Sequence, residues 1–128
     1  MKHVLIAEDD PDIAEVLAEA IGERTGLATH VVANGALVPD AIVASRPDLF
    51  ILDVDLPGLS GLDLFDLVRN DPLYDGVPVL FLTASPEKAA TAFSPTGVHH
   101  VMAKPFDLND LIAVVDRMVD GHKVASAA

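Results

Sequence analysis

Apolar positions along the chain follow two alternating rhythms. Short runs rich in Val, Ile, Leu and Phe recur at HVLIA (3–7), THVVA (29–33), LFIL (49–52), VPVLFL (77–82) and HVMA (100–103). Several are apolar at consecutive positions, as strands covered on both faces should be. Between them the spacing changes to i, i+3, i+4, i+7. Ile13, Val16, Leu17 and Ala20 follow it, with Pro11 near the helix start and Gly22 and Gly26 towards its end. Leu62, Phe65 and Val68 repeat it more briefly. Leu108, Leu111, Ile112 and Val115 repeat it in a last helix, with Asp107 placed as its N-cap.

Two further segments carry weaker helical patterns. In 36–46, a helix starting near Ala36 puts Pro39 in its first turn, where the missing N–H has no partner to lose. In 86–97, Ser94, Pro95 and Gly97 break the pattern early. The order is therefore βα repeated five times. It predicts a three-layer α/β sandwich, a parallel sheet with helices on both faces.

Composition narrows the classes. The 128 residues suit one domain, and 51 % hydrophobic residues supply its core. Twenty Asp and Glu against eight Lys and Arg give a net charge of −12, which disfavours unaided binding to nucleic acid or anionic membrane. Cysteine is absent, which removes disulfides, thiolate metal sites and thiol nucleophiles together. Met1-Lys2-His3 leads into only four apolar positions before Glu8, too few for a signal-peptide core. The expected location is the cytoplasm. Residues 121–128, GHKVASAA, have nothing periodic to bury and are expected to form a flexible tail. The tail shows no start of a DNA-binding helix, which favours a stand-alone protein.

Candidate chemistry collects at the strand ends. The first strand ends in Glu8-Asp9-Asp10 and the third in Asp53-Val54-Asp55. The fourth ends in Thr83-Ala84-Ser85 and the fifth in Lys104-Pro105-Phe106. In an open parallel sheet wound in the order 2-1-3-4-5, ligands sit beyond the carboxyl ends, and Asp9 faces Asp53. Carboxylates that close repel unless a cation joins them, and hard oxygen donors suit Mg²⁺. Thr83 and Lys104 close the other side with a hydroxyl and a positive charge, so an anion entering between metal and Lys104 is held from both sides. Each residue also has a plainer reading. Asp10 or Asp12 can cap the first helix, Thr83 can serve β-propensity alone, and a lysine before proline is commonly a solvated loop residue. Their joint placement at four ends of one sheet favours a site.

The segments VLIAEDDPDIAEVL, PDLFILDVDLPGLSGLDL, VPVLFLTAS and AKPFDLNDL resemble the receiver domains of two-component response regulators, the CheY-like superfamily. The run D-x-x-x-P-G-x-x-G at 53–61 is the most specific match. The resemblance covers about Val4 to Val119 and implies a flavodoxin-like fold, with residues 1–120 as the receiver. It implies that Asp53 accepts a phosphoryl group from phosphohistidine on a sensor histidine kinase or phosphotransfer protein. By the same resemblance Asp9 holds Mg²⁺ directly, Glu8 through water, and Asp55 through its backbone carbonyl. Thr83 bonds the phosphoryl group, Lys104 pairs with it, and a cis bond precedes Pro105. Activity is limited to self-catalysed phosphotransfer and hydrolysis, and the output is a downstream protein partner.

Departures from the family pattern fall on one face. The family usually carries Tyr or Phe where this chain has Val101, so the Thr83–Val101 switch pair lacks its aromatic member, and the segment 84–98 is expected to carry the change instead. Two acids commonly precede that position in transcription-factor members; here they are His99 and His100. Val114 stands where those members tend to carry Arg, and the fourth helix is short. All lie on the fourth-helix, fifth-strand and last-helix face that receivers commonly use for output. His99 and His100 point to opposite faces of a strand and cannot chelate one metal together. Two other readings compete. Asp53-Val54-Asp55 imitates the D-x-D pair of haloacid-dehalogenase-like phosphatases, but with Pro57 and Gly58 following and on a third strand. A non-phosphorylated pseudo-receiver is the other, though it usually lacks an acid or the lysine.

Overall fold

A computed structural model describes residues 2–44, 46–74, 76–87 and 99–120. Strands β1 (His3–Ala7), β2 (Ala28–Val32), β3 (Leu49–Asp53), β4 (Val79–Thr83) and β5 (His99–Ala103) form one parallel sheet in the order 2-1-3-4-5. Helices α1 (Pro11–Thr25), α2 (Val38–Ala44) and α3 (Gly61–Arg69) and a C-terminal helix (Leu108–Val119) cover it. The predicted architecture is the observed one.

Alternate strand residues feed two cores. Leu5, Ala7, Phe50, Leu52 and Phe81 face α2 and α3, where they meet Val38, Leu64, Phe65 and Val68. Val4, Ile6, Leu49, Ile51, Leu80 and Leu82 face the other way, onto Leu17 and Ile21 of α1 and Leu111 and Val115 of the C-terminal helix. Every residue of β3 and β4 is buried, as their unbroken apolar runs require. β2 is an edge strand, and only Val32 of it is fully buried.

The helix starts follow capping chemistry. Asp10 caps α1, its carboxylate accepting from the N–H groups of Asp12 at 2.9 Å and Ile13 at 3.3 Å. Ser60 and Asp63 form a reciprocal capping box at α3, and Asp107 caps the C-terminal helix through the Asp110 N–H. Pro39 lies in the first turn of α2, behind a 3₁₀ turn at Gly35–Leu37. Gly26, at φ 75°, closes α1 in the left-handed conformation.

Two expectations need correction. Val16 is 49 % exposed, and the buried stripe of α1 is Ala14, Leu17, Ala20 and Ile21. In α3 it is Leu64, not Leu62, that is fully buried beside Phe65 and Val68. The expected helix at 86–97 is described only at 86 and 87, and the rest lies outside the described residues, as does the tail at 121–128. Among the described residues no helix is long and apolar enough to cross a membrane.

Candidate functional site

Sheet register brings the candidate residues to one end. Ala7 of β1 pairs with Leu52 of β3, so Glu8 follows on the level of Asp53. Asp53 pairs with Leu82, which puts Thr83 one step beyond it on β4. Thr83 pairs with Ala103, and its carbonyl accepts the Lys104 N–H at 2.8 Å. Four chain segments thus deliver two carboxylates, a hydroxyl and an ammonium to one end of the sheet.

The side chains converge as the backbone directs. One carboxylate oxygen from each of Glu8, Asp9 and Asp53 lies within 4.8 Å of the others. Glu8 is 1 % exposed and Asp53 4 %, whereas Asp9 is open to solvent. Lys104 Nζ donates to Glu8 Oε2 and to Asp53 Oδ2, each at 3.0 Å. The other Asp53 oxygen, Oδ1, accepts the Asp55 N–H at 2.9 Å, and Glu8 Oε1 accepts the Asp10 N–H at 3.2 Å. Both oxygens of each buried carboxylate are therefore hydrogen-bonded, as groups removed from water must be.

Electrostatics pull in opposite directions here. Burial pushes the Glu8 carboxyl above its usual range, against the downward pull of the Lys104 hydrogen bond, and the neighbouring Asp53 charge adds to the rise. Burial also pulls Lys104 down, but its hydrogen bonds to Asp53 and Glu8 outweigh that and leave it raised, hence firmly cationic. A single ammonium faces a crowd of carboxylates. A hard divalent cation fits the remaining charge, because the donor set is all oxygen and Asp9 leaves one side open to water.

The remaining candidates are placed as follows. Asp55 is exposed, and its side chain stands outside the three-acid cluster. Thr83 is fully buried, and its Oγ1 accepts the Ser85 N–H at 2.9 Å. Val101 is half-buried in β5 and packs against the core shared with α2 and α3. His100 is exposed; the His99 side chain lies outside the described residues. The Lys104–Pro105 bond is cis, as expected.

The loop after β3 shows why its glycines stand where they do. Gly58 sits at φ 81°, the left-handed region that other residues adopt at a cost. Gly61 opens α3 directly against the strand end. A Cβ there would stand 2.6 Å from the Asp53 carbonyl oxygen and 3.0 Å from Val54 Cα. Only glycine lets α3 begin this close to Asp53. The sequence signalled Gly61 as part of a motif; the steric reason needed the fold. Asp10, adjacent to the cluster, is engaged as a helix cap.

Comparison with known proteins agrees with this geometry. The family profile described as "Response regulator receiver domain" matches residues 4–116. The chain is 34 % identical over 116 residues to the DNA-binding response regulator MtrA of Mycolicibacterium smegmatis, covering 89 % of this chain and 49 % of that protein. It thus spans about half the length of that relative. Among solved structures, a sensor protein from Polaromonas sp. JS666 superposes with a TM-score of 0.84 at 27 % identity, covering 94 % of this chain and 97 % of that one. The chemotaxis protein CheY4 of Vibrio cholerae superposes at 0.82 and 27 %, covering 92 % and 98 %.

Proposed function

The chain belongs to the response regulator receiver family, and from that premise we propose that it accepts a phosphoryl group on Asp53 from the phosphohistidine of a sensor kinase or phosphotransfer protein. The observation that carries this reading is the Lys104 ammonium, bonded at 3.0 Å to both Asp53 and Glu8, beside Asp9. An Asp53 oxygen attacks phosphorus, the P–N bond breaks, and the imidazole leaves with the electron pair. Lys104 neutralises charge on the arriving oxygens from its place on Asp53 Oδ2. Thr83 Oγ1 already accepts from Ser85, so its own hydrogen is the one it can donate to a phosphoryl oxygen. Asp9, Asp53 and the Asp55 carbonyl, with Glu8 through water, would hold Mg²⁺, which supplies charge neutralisation for the phosphoryl oxygens.

Receivers are regulatory modules rather than true enzymes, and self-catalysed transfer and hydrolysis are the extent of the chemistry proposed. The output is a protein partner on the β5 and C-terminal-helix side, with Thr83 and Val101 as switch positions. Direct nucleic-acid contact by these residues is disfavoured by the net charge of −12; MtrA is named as DNA-binding for a chain about twice this length. The dehalogenase-like alternative finds no support, since Asp53 ends and Asp55 follows the third strand of a receiver sheet. A pseudo-receiver usually lacks an acid or the lysine, and Glu8, Asp9, Asp53 and Lys104 are all present. Incubation with a small acyl-phosphate donor and Mg²⁺ tests the proposal. One phosphoryl group should appear and map to Asp53. No gain in mass, or a gain that survives Asp53→Asn, contradicts it.

A further inference from the structure

α2 and α3 leave an apolar groove between them, on the side of the sheet away from α1. It encloses about 290 Å³ over buried Val38, Leu64 and Tyr74. Its edges carry Val43, Leu67 and Leu73, which are 80 %, 52 % and 68 % exposed. A second, acidic depression of about 670 Å³ adjoins it and shares Leu67 and Asp71. Its acids are Asp63, Asp66 and Asp71. Asp66 is paired with Arg69 at 3.3 Å, whereas Asp63 and Asp71 have no cation among the described residues. Arg46 is engaged nearby, its Nε donating to the Leu73 carbonyl at 2.7 Å. The surface is an apolar slot with uncompensated negative charge along one rim.

That pairing selects the occupant. A second copy in a two-fold contact would set the same patch against itself, acids against acids. A segment with an apolar stripe flanked by Lys or Arg complements both features at once. We propose that the α2–α3 surface docks a basic amphipathic helix of a protein partner, its apolar side chains in the groove and its cations against Asp63 and Asp71.

The test uses the full chain with Mg²⁺ and a short synthetic peptide carrying Leu at helical spacing and Lys beside it. α1 is the internal control, because Asp12, Glu15, Glu19 and Glu23 make it acidic on a helix remote from the groove. Amide chemical shifts should move most in 38–44 and 61–74. Leu67→Ser, and Asp63→Asn with Asp71→Asn, should each weaken binding about fivefold or more. Asparagine keeps the local hydrogen bonds, so these variants remain folded. A peptide with Glu for Lys should not bind. Shifts as large on α1 as on α3, parental affinity in either variant, equal binding of the Glu peptide, or a dimer that Leu67→Ser dissociates would each overturn the proposal.

Discussion

β3 and β5 flank β4 on its two sides, and their surroundings could hardly differ more. All five residues of β3 are buried, between α2 and α3 on one face and α1 and the C-terminal helix on the other. β5 is the sheet edge, with His100 and Ala103 exposed and Val101 and Met102 half-buried. The proposed acceptor carboxylate, Asp53, sits at the end of a strand buried along its whole length. Its two oxygens are tied to Lys104 and to the Asp55 N–H. Three of the departures from the family pattern, His99, His100 and Val101, fall on β5, where His100 is exposed and Val101 half-buried. Reaction geometry tolerates little displacement, whereas an output surface can be rebuilt without disturbing the core.

Truncations measure that difference. Leu52→Ala should cost about 2–5 kcal/mol in denaturant unfolding, because a fully buried side chain leaves a cavity between packed layers. Val101→Ala should cost about 1 kcal/mol or less, since half of that side chain's surroundings are already open. Equal costs would break the contrast between the strands.

The close approach at Asp53 is the next most sensitive feature. Gly61→Ala forces a methyl to 2.6 Å from the Asp53 carbonyl and should destabilise by about 1–3 kcal/mol. Gly22→Ala in α1 meets nothing within 4 Å and should stabilise by up to about 1 kcal/mol. Opposite signs for the same chemical change, read by thermal melting, are the expected result.

Metal affinity separates neighbouring acids. Asp9→Ala should weaken Mg²⁺ binding by about a hundredfold or more in calorimetric titration, at or above the top of the range typical of an outer-sphere partner. Asp10→Ala should leave Mg²⁺ affinity intact and cost about 1 kcal/mol of stability, because Asp10 caps α1. Unchanged affinity in Asp9→Ala would remove that residue from the proposed metal set.

A smaller effect is expected in pH dependence. The folded chain holds the Glu8 proton more tightly than the usual value of 4.5, so this contribution favours folding below that pH and is lost as pH rises through the raised value. Glu8→Gln in Mg²⁺-free buffer should flatten that part of the stability profile. An unaltered profile would contradict a raised Glu8 pKa in the folded chain.

Much of this was legible in the chain, for identifiable reasons. Five apolar runs alternating with helical spacings signalled a parallel α/β sheet, and with the order 2-1-3-4-5 as a premise the candidate site followed from what stands at the strand ends. The buried stripe of α1 was misread because alanine fits a core or a surface equally well. Ile13, Val16 and Leu17 outvoted Ala14, yet Ala14 is buried and Val16 is exposed. Leu64 was overlooked in α3 because LDLF offers two apolar faces within one turn. The Lys104 bridge between Glu8 and Asp53 spans 96 and 51 residues of sequence, so only the assembled sheet reveals it. The expectation that 84–98 carries the switch in place of Val101 falls largely outside the described residues.

The central claim is that Asp53, with its surrounding acids and Lys104, forms a phosphoryl-accepting site. Beryllofluoride, a mimic of the phosphoryl group, tests it most directly through fluorine NMR of the full chain with Mg²⁺. The account predicts a bound fluoride signal that vanishes on chelation of Mg²⁺ and is absent in Asp53→Asn. No bound signal in the parent chain, or one that persists in Asp53→Asn, would contradict it.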